Sequence, residues 1–473
     1  MRRAPAAAAV LLALAGPVLV ATPALADRYE PGSTTGGDPY FPQAGNGGYD
    51  VDHYDLTLAY DPATGRLDGT AVITLEATAD LSSFSLDLRG LTATSVRVDG
   101  RRASFEQLAP DPATGRGGEL VVRARRGLPA DSTREVTVVY GGVPDRPTDI
   151  EGAPYGFVSS PDGALVANEP EGASTWYPVN DVPTDKATYD LRITVPEGRT
   201  AVANGEPVGT PTTADGRTTS VWRATDPMAS YLSTASIGDL VLTERTGPRG
   251  LPILDFVDTG VTGEARAVTE AALALQPDMI AFFEGVYGPY PFTSFGSIVD
   301  DDSVGYALET QTRPVYSGVA DEPSVAHELA HQWVGNSVTP ETWRDIWLNE
   351  GFATYSQWLW TESRGGPTAQ QQFDTVYGLP ADDAFWATAP GDPGAGTLFA
   401  PATYDRGAAA LQALRGVIGD EAFSTLLERW TTENAGGNVS TADLVALAEE
   451  VSGQQLDGFF TTWIDTPGKP AGW

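Results

Sequence analysis

Apolar and polar residues alternate along much of the first half of the chain, which is the pattern of strands that bury one face. The clearest runs contribute these apolar sets: Tyr54, Leu56, Leu58 and Tyr60; Phe84, Leu86 and Leu88; Val136, Val138 and Tyr140; Tyr189, Leu191, Ile193 and Val195. Turn sequences such as Asp61-Pro62 and Asp99-Gly100 separate the runs. The pattern predicts a β domain over residues 49–245, after a loop-rich stretch over 27–48 that is rich in Gly, Pro and Tyr.

The apolar spacing changes to that of helices from Thr262 onward. An apolar stripe is formed by Ala265, Val268, Ala272, Leu275, Ile280 and Phe283. Further helical patterns cover residues 350–361, 401–417, 421–431 and 441–451. A mostly helical second domain over residues 246–473 is therefore predicted, so the chain falls in the multidomain α+β class.

Composition limits the possible partners. The chain has 473 residues, of which 41% are hydrophobic, enough for two or three domains with cores. Its formal net charge of −34 opposes binding to nucleic acid or anionic membranes, so neither is expected as a partner. Because the chain has no cysteine, it forms no disulfide and carries no cysteine-linked lipid.

Residues 1–26 have the parts of a secretory signal peptide. Two arginines come first, an apolar run covers residues 6–20, and Ala24-Leu25-Ala26 offers a small-x-small cleavage site. An uncleaved membrane anchor is the alternative, since the apolar run is nearly long enough to cross a bilayer. Gly16 and Pro17 within the run favour the signal. A secreted protein with no membrane span after signal removal is the expectation.

His327, Glu328 and His331 form an H-E-x-x-H sequence, and Glu350 follows after eighteen intervening residues. Histidines four apart lie on one face of a helix, so both can bind a single ion. Two imidazoles and a carboxylate are a ligand set of catalytic zinc, which leaves a fourth position for water. Glu328 lies on the neighbouring side of the same turn, where it can act as general base. The pattern predicts one zinc ion per chain.

Local signals agree with a helix at this motif. Asp321 and Pro323 are favourable starting residues, and Gly335 is a favourable stop. A chance match on an amphipathic helix is the alternative, but the chain has only three histidines and two of them fall here. The third, His53, lies in a strand pattern, and no catalytic role is expected for it.

These residues resemble the gluzincin aminopeptidases, the family that includes aminopeptidase N and the leukotriene hydrolase. The segments that carry the resemblance are residues 327–333, 335–336, 347–353, 288–292, 403–407 and 176–189. The resemblance implies an antiparallel, saddle-shaped β domain that leads into a thermolysin-like catalytic domain. Larger members continue with further carboxy-terminal domains, whereas residues 463–470 resemble the end of the catalytic domain, so a short form with a more open cleft is expected.

The resemblance also implies roles for three further residues. Tyr404 matches the tyrosine that helps zinc to stabilise the oxyanion. Glu309 matches the glutamate that binds the free amino group of a substrate, although Tyr306 and Leu308 depart from the glycine and methionine that the family usually has beside it. Glu169 resembles a second amine-binding glutamate, contributed by the β domain.

Together the motifs predict a secreted zinc aminopeptidase that hydrolyses the first peptide bond of peptides with a free amino terminus. A zinc endopeptidase with an open cleft is one alternative, because the metal machinery alone does not choose between the end and the middle of a peptide. A non-catalytic secreted binding protein on the same fold is another. Neither the oligomeric state nor the preferred first residue of the substrate follows from the sequence.

Overall fold

The computed structural model describes residues 29–149, 152–301 and 304–472. The predicted signal peptide over residues 1–26 lies outside the described residues, so secretion stays a prediction. Within the described ranges, every helix is too short or too polar to cross a membrane.

Strands dominate the first half of the described chain and form three sheets. In chain order they are β1 (Glu30–Pro31), β2 (Tyr49–Asp61), β3 (Arg66–Ala77), β4 (Leu81–Asp87), β5 (Thr92–Val98), β6 (Arg101–Arg102), β7 (Ser104–Leu108), β8 (Glu119–Leu128), β9 (Ser132–Gly142), β10 (Gly156–Ser159), β11 (Ala164–Ala167), β12 (Lys186–Pro196), β13 (Thr200–Ala203), β14 (Glu206–Pro207), β15 (Thr212–Ala214), β16 (Arg217–Ala229) and β17 (Ala235–Gly238). The sheet orders are β1-β4-β8-β7, β10-β11-β17-β13, and β14-β16-β12-β2-β3-β9-β5-β6 with β15 paired to β16.

The alternating residues predicted from the sequence form the buried face of these sheets. Tyr54, Leu56, Leu58 and Tyr60 on β2 are each no more than 2% exposed. The predicted sets on β9 and β12 are buried as well, and so is the set on β4, whose last member, Leu88, directly follows the strand. The predicted antiparallel arrangement holds for the largest sheet with one exception, because β2 and β12 run parallel. Alternation cannot reveal strand direction, and the long connection between these two strands leaves room for a crossover.

The second half contains a mixed four-stranded sheet and most of the helices. The sheet has the order β18 (Leu240–Thr246), β19 (Pro252–Asp258), β20 (Phe295–Asp300) and β21 (Val315–Ser317). The helices are α1 (Gly263–Leu273), α2 (Gln276–Tyr287), α3 (Glu322–Ala330), α4 (Trp347–Ser363), α5 (Ala369–Tyr377), α6 (Gly407–Ile418), α7 (Asp420–Glu433), α8 (Thr441–Ser452) and α9 (Asp457–Phe460). The short strands β22 (Thr339–Pro340) and β23 (Asn438–Val439) pair with each other.

This half is less uniform than the helical pattern suggests. The predicted boundary after residue 245 falls within β18, and it stays a prediction. β19 and β20 are almost entirely buried and therefore show no alternation. The predicted apolar stripe is divided between two helices, α1 and α2. Within α1 the buried face differs from the predicted one, because Val268 is 38% exposed while Thr269 and Ala272 are buried.

The two halves share a packed boundary. The core of the β domain extends to Leu308, Trp343 and Ile346, which belong to the second half of the chain. A separate core packs α2, α3, α4 and α6 together with the buried strands. Trp343 and Ile346 lie immediately before α4, so the start of this helix is fixed against the β domain.

The helix that carries the H-E-x-x-H motif begins as predicted. The Asp321 carboxylate accepts a hydrogen bond from the Ser324 backbone N–H at 2.9 Å, and Pro323 lies in the first turn. The helix α3 ends at Ala330, one residue before His331. A turn follows and leads to Gly335, whose φ is +118°. The cap and the turn together place both histidines at the carboxyl end of α3.

Replacing Asp321 with alanine should lower the free energy of unfolding by about 1 kcal/mol, because the first turn of α3 loses its side-chain acceptor. The measurement is the urea midpoint of unfolding. Asp321→Asn is the matched control, since asparagine caps helices about as well as aspartate. An equal loss of stability in both variants would show that the carboxylate charge matters rather than the cap.

Candidate active site

The predicted zinc ligands converge between α3 and α4. The His327 Nε2 and His331 Nε2 atoms lie 3.2 and 3.5 Å from the Glu350 Oε2 atom. The ligand atoms of all three side chains lie within 4.8 Å of one another. Glu350 lies in the first turn of α4, where the pairing of α4 with α3 faces it towards the histidines. The three side chains therefore meet as the spacing of the motif predicts.

The orientation of the His331 ring is set by the backbone. Its Nδ1 atom lies 3.0 Å from the Val334 carbonyl oxygen, which can only accept a hydrogen bond. Nδ1 therefore carries a proton, and Nε2 is the ring nitrogen that faces Glu350. Such a backbone partner fixes the tautomer that a metal-binding histidine needs.

Four carboxylates surround these histidines. Two further groups of side chains bring ligand atoms within 4.8 Å of one another: Glu309, Glu328 and His331, and also Glu169, Glu309 and Glu350. Within the described residues, one oxygen each of Glu169 and Glu309 is buried without a hydrogen-bond partner. A buried carboxylate without a partner is costly, so this cluster favours bound cations.

The pKa values reflect the crowding. Burial and then the neighbouring glutamates raise the pKa of Glu169 well above its usual range. Burial likewise raises the pKa of Glu328, and raises that of Glu309 to about 7. Burial also acts on Glu350, but the adjacent imidazoles outweigh it and hold the Glu350 pKa at about 2. A divalent cation would relieve the repulsion, and two imidazoles plus a carboxylate are the donor set that zinc prefers.

The positions of Glu309 and Glu328 are coupled through one side chain. Gln332, one turn after Glu328, donates a hydrogen bond to the Glu309 carbonyl at 3.2 Å, and its oxygen accepts one from the Thr312 backbone N–H at 2.7 Å. Asn336 also donates to the Glu309 carbonyl, at 2.7 Å. Gln332 and Asn336 lie within the segments that carry the family resemblance, but no role was predicted for them. Their position beside the zinc-binding histidines, within those segments, is the signal that could have revealed them.

Tyr404 lies beside the histidines, as the resemblance implies. It belongs to a π-helical turn, Ala402–Arg406, that leads into α6. Its ring stacks near the His327 ring, with 6.0 Å between the ring centroids. Burial and the nearby carboxylate of Glu350 raise the pKa of Tyr404 well above its usual value. The hydroxyl therefore stays protonated and can donate a hydrogen bond.

Two residues of the β domain reach the base of the site. The Tyr231 hydroxyl donates to the Gly335 carbonyl at 2.9 Å and lies 3.3 Å from the Asn349 amide nitrogen. Lys186 donates to the carbonyls of Ser337 and Gly437 at 3.1 and 2.8 Å. These bonds hold the turn after α3 against the β domain. No such role was predicted for Lys186 or Tyr231.

Of the remaining residues named from the sequence, Glu169 lies in the site and His53 lies outside it. Glu169 comes from the loop after β11 and joins the carboxylate cluster, so the β domain does contribute to the site. His53 lies on β2 with its Nδ1 atom 2.8 Å from the Thr188 hydroxyl, away from this cluster. The other predicted residues, from Glu309 to Tyr404, come together in one place.

Comparison with known proteins bears on the family of the chain. The model of the peptidase M1 N-terminal domain matches residues 50–232, and the model of the peptidase family M1 domain matches residues 309–463. Aminopeptidase M1-C of Oryza sativa subsp. japonica is 27% identical over 448 residues, which cover 88% of this chain and 49% of that protein. Glutamyl aminopeptidase of Rattus norvegicus is 26% identical, with 88% and 47% covered. The chain thus spans about half the length of these relatives.

Solved structures match nearly the whole chain. The M1 zinc metallopeptidase from Deinococcus radiodurans aligns with a TM-score of 0.82 and 28% or 29% identity, over 93% of this chain and 100% of that one. A two-domain M1 zinc metallopeptidase mutant bound to L-arginine is 29% identical, with a TM-score of 0.82 over 92% of this chain and 98% of that one. The predicted α+β class and the resemblance to zinc aminopeptidases are both confirmed. With both family domains matched in order, the chain belongs to peptidase family M1.

Proposed function

We propose that this protein is a secreted zinc aminopeptidase that removes the first residue of peptides. The observation that carries the proposal is the position of Glu309 and Glu169, two buried carboxylates with ligand atoms within 4.8 Å of a Glu350 oxygen. A substrate ammonium group offers three N–H donors to such carboxylates. Binding the amine there would leave the first peptide bond beside the histidines.

Each group of side chains in the site has its own role in the proposed reaction. His327, His331 and Glu350 would hold the zinc ion, which would supply a Lewis acid for the scissile carbonyl and for the attacking water. Glu328 takes the proton of the attacking water and later delivers it to the leaving amine. The Tyr404 hydroxyl donates a hydrogen bond to the oxygen that gains negative charge. The secretion of the protein is proposed on the sequence of residues 1–26 alone.

The decisive experiment compares a peptide with a free amino terminus to its acetylated twin. We expect the zinc-loaded protein to cleave only the free peptide, because acetylation removes the charge that Glu309 and Glu169 bind. Chelation should abolish cleavage, and added zinc should restore it. Equal cleavage of both peptides would establish an endopeptidase instead. Absence of cleavage over a panel of peptides would favour a non-catalytic binding protein.

Replacing Tyr404 with phenylalanine should lower kcat by about 10²- to 10³-fold, the usual effect of removing one oxyanion donor. KM should change little, because the hydroxyl acts mainly in the transition state. Steady-state kinetics with a chromogenic amino-acid anilide measure both constants, and the zinc content of the variant is the control. A raised KM with an unchanged kcat would mean that Tyr404 binds the substrate rather than the oxyanion.

A further inference from the structure

We infer that an arginine-lined groove on the β domain binds a phosphodiester polymer that lacks aromatic bases, such as a chain of polyol phosphates. The groove has a volume of about 510 Å³ and is lined by residues 98, 99, 101–103, 124–127 and 134. We call it the arginine groove. None of these residues belongs to the zinc ligands or to the carboxylates around them, so the inference does not rest on the proposed aminopeptidase function.

The charge of the arginine groove is opposite to that of the protein as a whole. Across the chain, acidic residues outnumber lysine and arginine by 63 to 29. The lining of the groove contains five arginines and one acid: Arg101, Arg102, Arg125, Arg126, Arg134 and Asp99. Such a local excess of positive charge is typical of a surface that binds an anionic partner.

Four of these arginines are exposed and unpaired. Within the described part of the chain, no ion pair and no side-chain hydrogen bond is formed by Arg101, Arg102, Arg125 or Arg126. The fifth, Arg134, lies 3.8 Å from the Asp99 carboxylate, so the single acid of the groove already has a partner. The donors of four guanidinium groups therefore remain for a ligand.

Exposed arginines elsewhere on the β domain are paired. Arg66 lies beside Asp68, and Arg223 lies 2.6 Å from Asp190. Acidic residues are abundant enough to pair with most arginines of this chain, yet the groove holds four together without such a partner. Mutual repulsion between them would be relieved by a bound anion.

One wall of the groove is a tight hairpin. Asp99 and Gly100 join β5 to β6, and both have positive φ values, +49° and +70°, which are typical of a type I′ turn. β6, which consists of Arg101 and Arg102, pairs with the end of β5. The pairing fixes the backbone of both arginines before a ligand binds, which lowers the entropy cost of binding.

A second wall is a bulge of β8. The pairing of β8 with β4 shifts register, so that one residue of β4 lies opposite residues 124–127 of β8. Arg125 and Arg126 belong to this bulge. A bulge interrupts the ladder of hydrogen bonds and changes the direction of its side chains. Because β6 and β8 belong to different sheets, the groove brings together arginines from two sheets.

A phosphodiester fits guanidinium groups that come from two walls. Each guanidinium offers a planar fork of donors. The oxygens of a phosphate point in tetrahedral directions, so forks from different walls can bind the same phosphate. A polymer also repeats its charge, so that one chain can neutralise all four unpaired arginines.

The rest of the lining favours a polymer without bases. Its uncharged members are Val98, Ala103, Ala124 and Gly127, and none of the described residues that line the groove is aromatic. Proteins that bind single-stranded nucleic acid combine basic residues with aromatic side chains on which the bases stack. The net charge of −34 does not prevent binding, because charges beyond about 8 Å are largely screened at physiological ionic strength.

The test measures the Kd of the zinc-loaded protein for fluorescein-labelled poly(glycerol phosphate) by anisotropy. We expect Kd to rise by about 50-fold between about 50 and about 200 mM salt, because roughly four phosphate contacts each add about 0.7 to the logarithmic slope. Absence of binding at the lower salt concentration would overturn the inference.

The double variant Arg125→Gln/Arg126→Gln tests the site of binding. It should raise Kd by about tenfold or more and lower the salt slope by about 1.4. Arg66→Gln/Arg223→Gln is the matched control, because it removes the same charge from arginines of the β domain that are 55% and 53% exposed. The control should bind like the unaltered protein. An equal loss of affinity in both double variants, or in neither, would contradict binding in the groove.

Three competing ligands test the chemistry of the partner. Oligothymidylate with the same number of phosphates should bind no more tightly than poly(glycerol phosphate), and polyglutamate of equal charge should bind more weakly. Tighter binding of oligothymidylate would assign the groove to nucleic acid. Equally tight binding of polyglutamate would assign it to acidic peptides, and equally tight binding of phosphatidylglycerol vesicles would assign it to a membrane. Each of these three results would overturn the proposed partner, and none depends on whether the protein cleaves peptides.

Discussion

Glu328→Gln is expected to lower kcat by about 10³- to 10⁴-fold while zinc binding persists. Glutamine has nearly the shape of glutamate but cannot accept a proton from water. The three ligand side chains, His327, His331 and Glu350, meet without Glu328, so its charge is not needed to complete the donor set. Glu328 is only 7% exposed, and bulk water has little access to replace it as base.

The measurement pairs steady-state kinetics with metal analysis on the same sample. Glu341→Gln is the control, because Glu341 is an exposed glutamate outside the carboxylate cluster. That variant should retain normal kcat and zinc. Retained turnover in Glu328→Gln would exclude Glu328 as the base, and loss of zinc from it would make it a ligand.

The zinc triad could be predicted from the sequence because its geometry is mostly local. The spacing of His327 and His331 fixes their shared face through helix geometry alone. Glu350 required one tertiary assumption, the packing of a second helix against α3, which the spacing of the motif and the family resemblance suggested. The buried faces of β2, β4, β9 and β12 were predictable for the same reason, since a period of two survives any arrangement of strands.

The features that were not predicted from the residues themselves depend on contacts between segments far apart in the chain. The parallel pairing of β2 with β12 joins residues such as Tyr54 and Tyr189, and nothing in either strand records its partner's direction. The bonds from Gln332 and Tyr231 likewise join segments far apart in the chain. Glu169 and Glu309 were suggested only by family resemblance, because an isolated glutamate carries no local sign that it will be buried.

Removal of the metal should destabilise the fold as well as abolish activity. Without a cation, the clustered glutamates Glu169, Glu309, Glu328 and Glu350 share two imidazoles in the described part of the chain. A ligand present at about a thousand times its Kd contributes about 4 kcal/mol to stability, so chelation should lower Tm by about 5–10 °C. Calorimetry with and without chelator measures this shift. Glu350→Gln should bind zinc weakly and show little change in Tm on chelation.

The metal-free protein should also lose stability as pH rises from 5.5 to 8. The pKa of Glu309 is raised from 4.5 to about 7, so its protonated form is favoured in the fold, and the resulting stability is lost as pH rises through about 7. Burial lowers the His331 pKa, but Glu309 and Glu350 together raise it to about 10, and its contribution also declines above the ordinary histidine pKa. Burial lowers the pKa of His327 and lowers that of Lys186 from 10.5 to about 7, so these two groups oppose the trend. Zinc displaces these protons, so the metal-loaded protein should show a weaker dependence. If Tm rose between pH 5.5 and 8 without metal, the carboxylates would not be the source of the instability.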